Sequence, residues 1–282
     1  MSRAVDLGDP PGATRGNVEH PRSRREGLRT LLRGAGQTLI TVGLIALLFV
    51  VYELWVTDVL SAREQGRLDQ QIHEQWADAP TVAPPETGPA DAAPPPAPEP
   101  APTPIQVTLG EPFAVLHIPR LGGDWSRVVV EGTAQVQLAQ GPGHYTGTAL
   151  PGQQGNVGFA GHRVGRGSPF LDLDRLRPGD PVVIETADTW FVYRVLGDPV
   201  TGNLDGDPTG IPGRRIVRPT DVSVLSPTPG GPAEGPPSGA YLTLTTCHPR
   251  YSAQQRLVVH ARLDGAPLSK ATAPEGPPAL RG

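Results

Sequence analysis

Apolar residues fall into three patterns along the chain. Residues 1–36 show no period and carry Arg22, Arg24, Arg25, Arg29 and Arg33. Such a segment has too little apolar surface to offset the entropy of ordering its backbone, which predicts disorder. An unbroken apolar run follows from Gln37 to Tyr52. With its flanks, residues 37–57 reach the length a helix needs to cross about 30 Å of hydrocarbon. Arginines precede this run, and Glu53 and Asp58 follow it. The bias predicts a single-pass anchor in the plasma membrane, with the N-terminus cytoplasmic and the bulk of the chain outside. A cleaved signal peptide is the competing reading. The apolar core is long for one, no Ala-x-Ala follows close to it, and Val59-x-Ser61 is the nearest cleavage candidate.

Residues 58–78 place Leu68, Ile72 and Trp76 at i, i+4 and i+8, the spacing of one helical stripe. A stripe this narrow predicts a solvated juxtamembrane stalk. Pairing with a copy of itself, or lying on the membrane or on the following domain, are the alternatives. Residues 79–108 are rich in Pro and Ala, including Pro94-Pro95-Pro96, and predict an extended linker of about 3.1 Å per residue.

From residue 109 to 264 the period shortens to two. Strands are predicted at Phe113–Ile118, Ser126–Val130, Asn156–Ala160, Pro181–Glu185, Trp190–Leu196, Arg215–Val217, Tyr241–Cys247 and Arg256–Leu263. A turn of helix is predicted over Val136–Ala139 and another over Thr220–Leu225. Ser168 and Pro169 predict the start of a short helix with Phe170, Leu173 and Leu176 on one face. Residues 141–155 and 227–239 are Gly/Pro-rich loops, the second expected to be mobile. Residues 265–282 predict a disordered tail. Many short strands separated by close turns predict a mainly β fold, a barrel with short helices.

Gly and Pro number 35 each, most of them in the linker and loops. The net charge is −4 and no basic stripe is present, so no nucleic-acid partner is expected. Lys270 is the single lysine. One cysteine excludes an internal disulfide framework. One Cys and scattered His residues have no zinc-ligand spacing. Asp172, Asp174 and Asp180 follow no calcium-loop spacing and read as a solvated helix face. No metal or cofactor is expected.

Cys247 is the thiol to explain. Leu242 and Leu244 share one face of their strand, so Thr243, Thr245 and Cys247 share the other. In the next strand Leu257, Val259 and Ala261 face one way and Arg256, Val258 and His260 the other. With both leucine faces in one core, Cys247 and Arg256 emerge on the same side of neighbouring strands. A guanidinium beside a thiol can stabilise a thiolate or a forming oxyanion. A lone Cys is commonly a small buried hydrophobe, but the Cys247-His248-Pro249 context argues against burial. For Arg256 alone, a surface salt bridge is the plain alternative. His117 reads as a packed or edge strand residue. His248 adjoins Cys247 and points to the opposite face.

Thr243-Leu244-Thr245-Thr246-Cys247, with Arg256 at the start of the next strand and Gly161-His162-Arg163 upstream, resembles the signature of the sortases. The resemblance covers roughly residues 110–263. It implies an eight-stranded closed sortase-type barrel with the site in a groove at its rim. It assigns Cys247 as nucleophile, His162 as general acid/base and Arg256 as oxyanion or substrate stabiliser. It places Thr245, Thr246 and, through a Gly-rich loop, His144 near the substrate.

The implied reaction is transpeptidation. Cys247 cleaves a sorting motif on exported proteins between Thr and Gly, and an amine of a lipid II-like cell-wall precursor resolves the thioester. The elements look most like class E, with a Leu-Ala-x-Thr-Gly motif. The pilus-polymerising class C, a secreted cysteine peptidase and a non-catalytic wall-binding module are the alternatives.

Overall fold

The computed structural model describes residues 24–52, 57–78 and 104–281. These fall into two compact units that divide after Val51. The first contains one helix, α1 (Arg24–Val51). Its stretch Gly27–Val51 is long and apolar enough to cross a membrane, and its leucines, isoleucines and valines are exposed. The helix begins earlier than the apolar run, so residues 24–36 are helical rather than disordered. An Arg-containing first turn costs a helix little, because arginine is a good helix former. Residues 1–23, the end of the predicted anchor at 53–56, and most of the proline linker (79–103) lie outside the described residues.

The second unit holds α2 (Thr57–Asp78) and then β1 (Pro112–His117), β2 (Ser126–Glu131), α3 (Gln135–Leu138), β3 (Gly143–His144) and β4 (Gly155–Ala160). It continues with β5 (Pro181–Glu185), β6 (Thr189–Val195), β7 (Arg214–Val217), β8 (Ala240–His248), β9 (Gln255–Leu263) and β10 (Leu268–Ser269). Pairing runs β6-β5-β1-β2-β3-β4-β8-β9, and β9 closes back onto β6, giving an eight-stranded barrel. β10 lies on the free edge of β6, and β7 on the first half of β9. Closure removes the edges that an open sheet would expose. The core has the predicted alternation: Leu242, Leu244, Leu257, Val259 and Ala261 pack inside with Phe159, Phe170 and Leu173.

Several sequence expectations need correction. Ser168 does not cap a helix; its φ is +41°, and only a 3-10 turn forms at Leu173–Arg175. The apolar face is nevertheless right, because Phe170, Leu173 and Leu176 are all buried. Asp172 and Asp174 are solvent-accessible, at 34% and 42% side-chain exposure, but they sit at a 3-10 turn rather than on a helix face, and with Asp180 they are ion-paired. They pair with Arg175 and Arg250, with Arg163 and Arg250, and with Arg120 respectively. The loop of residues 227–239 is closed at its base, where Ser238 N donates to Thr228 Oγ1 at 2.9 Å.

The tail is folded as far as residue 281. β10 pairs with β6, and Trp190 Nε1 donates to Ala273 O at 3.0 Å. Lys270 holds it down: Nζ is 2.7 Å from Glu185 Oε1 and lies over the rings of Trp190 and Trp76. A half-buried ammonium over aromatic faces stabilises by about 0.5–2 kcal/mol per ring.

The helix α2 is not a solvated stalk. Leu68 and Ile72, 1% and 0% exposed, pack on Val115, Val128 and Val130 of β1 and β2, with Trp76 beside them. A narrow stripe suffices because Gln65 adds polar contacts to the barrel backbone. Its Nε2 donates to Gln140 O at 2.7 Å, and Val128 N donates to its Oε1 at 2.8 Å. Replacing Ile72 by Ala removes a fully buried side chain from this seam and is expected to cost about 2–5 kcal/mol. Thermal unfolding of the full chain in detergent checks it. The midpoint should fall for Ile72→Ala and stay put for the exposed Gln70→Ala, whereas equal midpoints would mean that α2 does not dock.

Candidate active site

Two strand registers bring the predicted residues together. β4 and β8 run parallel, with Ala160 beside Thr245. Each chain continues two residues past that pair, to His162 on one side and Cys247 on the other, so both emerge at the same end of the barrel. β8 and β9 run antiparallel, with Cys247 directly opposite Arg256. The face reading from sequence therefore holds: Thr243, Thr245 and Cys247 point away from the barrel core.

Local bonds fix where His162 sits. Gly161 N donates to Thr245 O at 3.1 Å, and the Thr246 hydroxyl donates to Gly161 O at 2.8 Å. Phe170 N donates to His162 O at 3.1 Å. Residue 161 must be small, since a Cβ there would lie 2.6 Å from the Phe170 ring. The His162 loop is thus held between β8 and the Phe170 segment.

His162, Arg163, Val164 and Cys247 line an open groove whose other wall is Tyr251, Ser252 and Ala253 of the β8–β9 turn. Cys247 is half-buried and reduced. His162 Nε2 is buried with no hydrogen-bond partner among the described residues. An unsatisfied polar atom in a substrate groove is a position for a substrate group to fill. Burial pushes the His162 pKa down, and the Arg166 charge adds to the effect. The imidazole is therefore held toward its neutral form. Arg256 does not line the groove. Its Nη1 donates to Ala253 O at 3.0 Å and to Gln255 O at 3.1 Å, which bolts the guanidinium to the turn.

The other predicted residues lie elsewhere. Thr245 is buried, with its Oγ1 2.9 Å from Tyr145 Oη. Thr246, 2% exposed, is spent on Gly161. His144 is not in a loop by the groove. It forms β3, buried, with Nδ1 2.6 Å from Glu131 Oε2 and Nε2 3.0 Å from Ala149 O. These three hold the frame and do not line the groove.

Sequence reasoning passed over Arg163. It is 3% exposed, its Nη2 pairs with Asp174 at 3.0 Å, and its Nη1 lies 3.0 Å from His248 Nδ1. It braces the end of β8 against the loop that carries His162. The sequence signal was its place in the Gly-His-Arg triplet. His248 is half-buried against this arginine, at the end of β8.

The Thr246 bond should be separable from folding. Thr246→Val keeps the shape but leaves the Gly161 carbonyl without its donor, at about 1–3 kcal/mol. If Thr246 positions His162, alkylation of Cys247 by iodoacetamide should change its pH profile while Thr246→Ser restores the parent profile. An unchanged profile would make Thr246 a packing residue only.

Comparison with known proteins agrees with this geometry. The sortase domain family matches residues 116–264. Sortase SrtE1 of Streptomyces coelicolor is 34% identical over 260 residues, covering 88% of this chain and 62% of the relative. The chain thus spans less than two thirds of that relative's length. The solved SrtF sortase from Corynebacterium diphtheriae superposes with a TM-score of 0.57 at 36% identity, covering 64% of this chain and 97% of that one. Sortase E from Streptomyces avermitilis superposes with a TM-score of 0.50 at 41% identity, covering 62% and 99%. A closed eight-stranded barrel with these matches over most of its length makes the chain a member of the sortase family, most like class E.

Proposed function

We infer that the protein is a cysteine transpeptidase anchored in the plasma membrane by α1, with its barrel outside the cell. Its substrates are exported proteins with a C-terminal Leu-Ala-x-Thr-Gly-like motif. The observation that supports this best is that Cys247 lies opposite Arg256 in the β8–β9 ladder and lines one groove with His162.

The reaction runs in two halves. The neutral imidazole of His162 takes the Cys247 proton, and the thiolate attacks the Thr carbonyl carbon. Negative charge gathers on the carbonyl oxygen, and the Arg256 guanidinium swings from its bonds to Ala253 O and Gln255 O to give it N–H donors. The C–N bond to Gly breaks, and His162 returns the proton to the leaving amine. Because His162 is held toward its neutral form, the proton it donates is the one it took from the thiol. A cell-wall amine then attacks the thioester carbon and loses a proton to His162, and the Cys247 sulfur leaves as a thiolate that takes this proton back from His162. The protein is left on the acceptor through a new amide.

Peptides ending in Leu-Ala-x-Thr-Gly and Leu-Pro-x-Thr-Gly, offered to the full chain with and without a glycyl amine, test the reading by mass spectrometry. An acyl adduct on Cys247 and transfer to the amine are expected, with the Ala peptide preferred. Arg256→Ala should lower kcat/KM by about 10²–10³, and Cys247→Ala should abolish cleavage. Cleavage without amine transfer would point to a hydrolase, and no Cys247 adduct from either peptide would point to a wall-binding module.

A further inference from the structure

A second groove lies on the other side of the His162 loop, between that loop and α2. Ser61 and Gln65 of α2 form one wall, Arg166 and Gly167 the other, and Arg127 and Gln140 of the barrel form its floor. No acidic side chain lines it.

Arg163, Arg120 and Arg215 each have an aspartate partner, Asp174, Asp180 and Asp221 respectively. Among the described residues, Arg127 and Arg166 have none. Other arginines of the domain, such as Arg214 and Arg256, also lack an acidic partner among the described residues, but here two of them line one groove. Arg127 has only Ser126 O at 2.7 Å and the face of Trp125 at 5.2 Å. Burial depresses its pKa, the mark of a cation drawn from water without a counter-charge. A half-buried guanidinium with free donors favours an anion beside it.

The loop that presents Arg166 is strained. Gly165, Arg166, Gly167 and Ser168 take φ of 73°, 55°, 72° and 41°, all left-handed, and Ser168 N donates to Gly165 O at 3.0 Å. Two of these residues carry side chains that disfavour such a backbone, and strain of this kind concentrates at functional sites. Gly167 lets the loop approach α2: a Cβ there would lie 3.0 Å from Ser61 Cβ.

We propose that this groove binds a phosphate or diphosphate group carried by a membrane-held molecule, with Arg127 and Arg166 as its two cationic ligands. Two guanidiniums suit the several oxygens and multiple charge of such a group better than a single carboxylate. The anchor proposed above makes a membrane-held molecule the source of that group. The site deepens the acceptor half of the proposed reaction, and it rests on that reading only for the identity of the acceptor. A bound anion would also neutralise Arg166, whose charge acts on His162, and so link acceptor binding to the catalytic groove.

The test uses the full chain in phosphatidylcholine nanodiscs at low salt. Inorganic pyrophosphate is titrated while calorimetry reads binding. A second arm replaces part of the lipid with phosphatidylglycerol and follows hydrogen exchange of residues 163–169. Saturable pyrophosphate binding, weakened about tenfold or more in Arg127→Gln and Arg166→Gln, supports the site. Protection with phosphatidylglycerol alone, lost in the same variants, supports it with a phospholipid headgroup as the source. Arg127→Lys keeps the charge and should retain much of the binding, which separates a lost ligand from a lost fold. No saturable response in either arm, or a response unchanged in the double variant, overturns the proposal. Cys247→Ala should bind pyrophosphate as the parent does, so failure of this site and failure of the transpeptidase reading give different results.

Discussion

Everything chemical in this domain depends on one pair of neighbours, Ala160 and Thr245 in the parallel ladder of β4 and β8. Parallel strands share a direction, so whatever follows each strand leaves the barrel at the same end. That is how an imidazole and a thiol 85 positions apart in sequence (247 − 162) come to share one groove. The antiparallel ladder with β9 then fixes the third member, because Cys247 has Arg256 as its cross-strand partner. A slip of one residue in either ladder would turn the sulfur into the hydrophobic core. The core residues Leu242, Leu244, Leu257 and Val259 prevent that slip, so core packing and site geometry are one constraint.

The strands were legible because a half-buried strand writes a two-residue period directly into its sequence. The Cys247 and Arg256 faces followed from the same period. What sequence reasoning missed depended on contacts between distant residues. β3 is two residues long and sits among glycines and prolines, so it has no period to read. His144 looked like a loop residue near the substrate, yet its partner is Glu131, reached only when β3 closes the barrel beside β2. Ser168 and Pro169 carry the composition of a helix start, and the left-handed run from Gly165 to Ser168 overrides it. The pairing of the aspartates at 172, 174 and 180 was not legible because the arginines that meet them lie at 120, 163 and 250.

The segments outside the barrel show the same limit. A helix with one narrow apolar stripe has no stable use alone, and its fate depends on a complementary surface. Here β1 and β2 supply valines, and Gln65 bonds to backbone that the barrel leaves free. The tail and the end of α2 meet at Lys270, which lies over both Trp76 and Trp190 and pairs with Glu185. Docking of α2 also builds the second groove, since Ser61 and Gln65 face the loop that carries Arg166. The loop after β4 is therefore shared, with His162 in one groove and Arg166 in the other.

The most direct test is a crystal structure of the full chain with Cys247 held as a thioester to a sorting-motif peptide, in the absence of an amine acceptor. The account predicts the acyl oxygen within about 2.7–3.1 Å of an Arg256 nitrogen. It also predicts the His162 ring facing the acyl carbon from within the groove, where an entering amine would meet it. An acyl oxygen held by other donors while Arg256 stays bonded only to Ala253 and Gln255, or a His162 ring turned out of the groove, would contradict it.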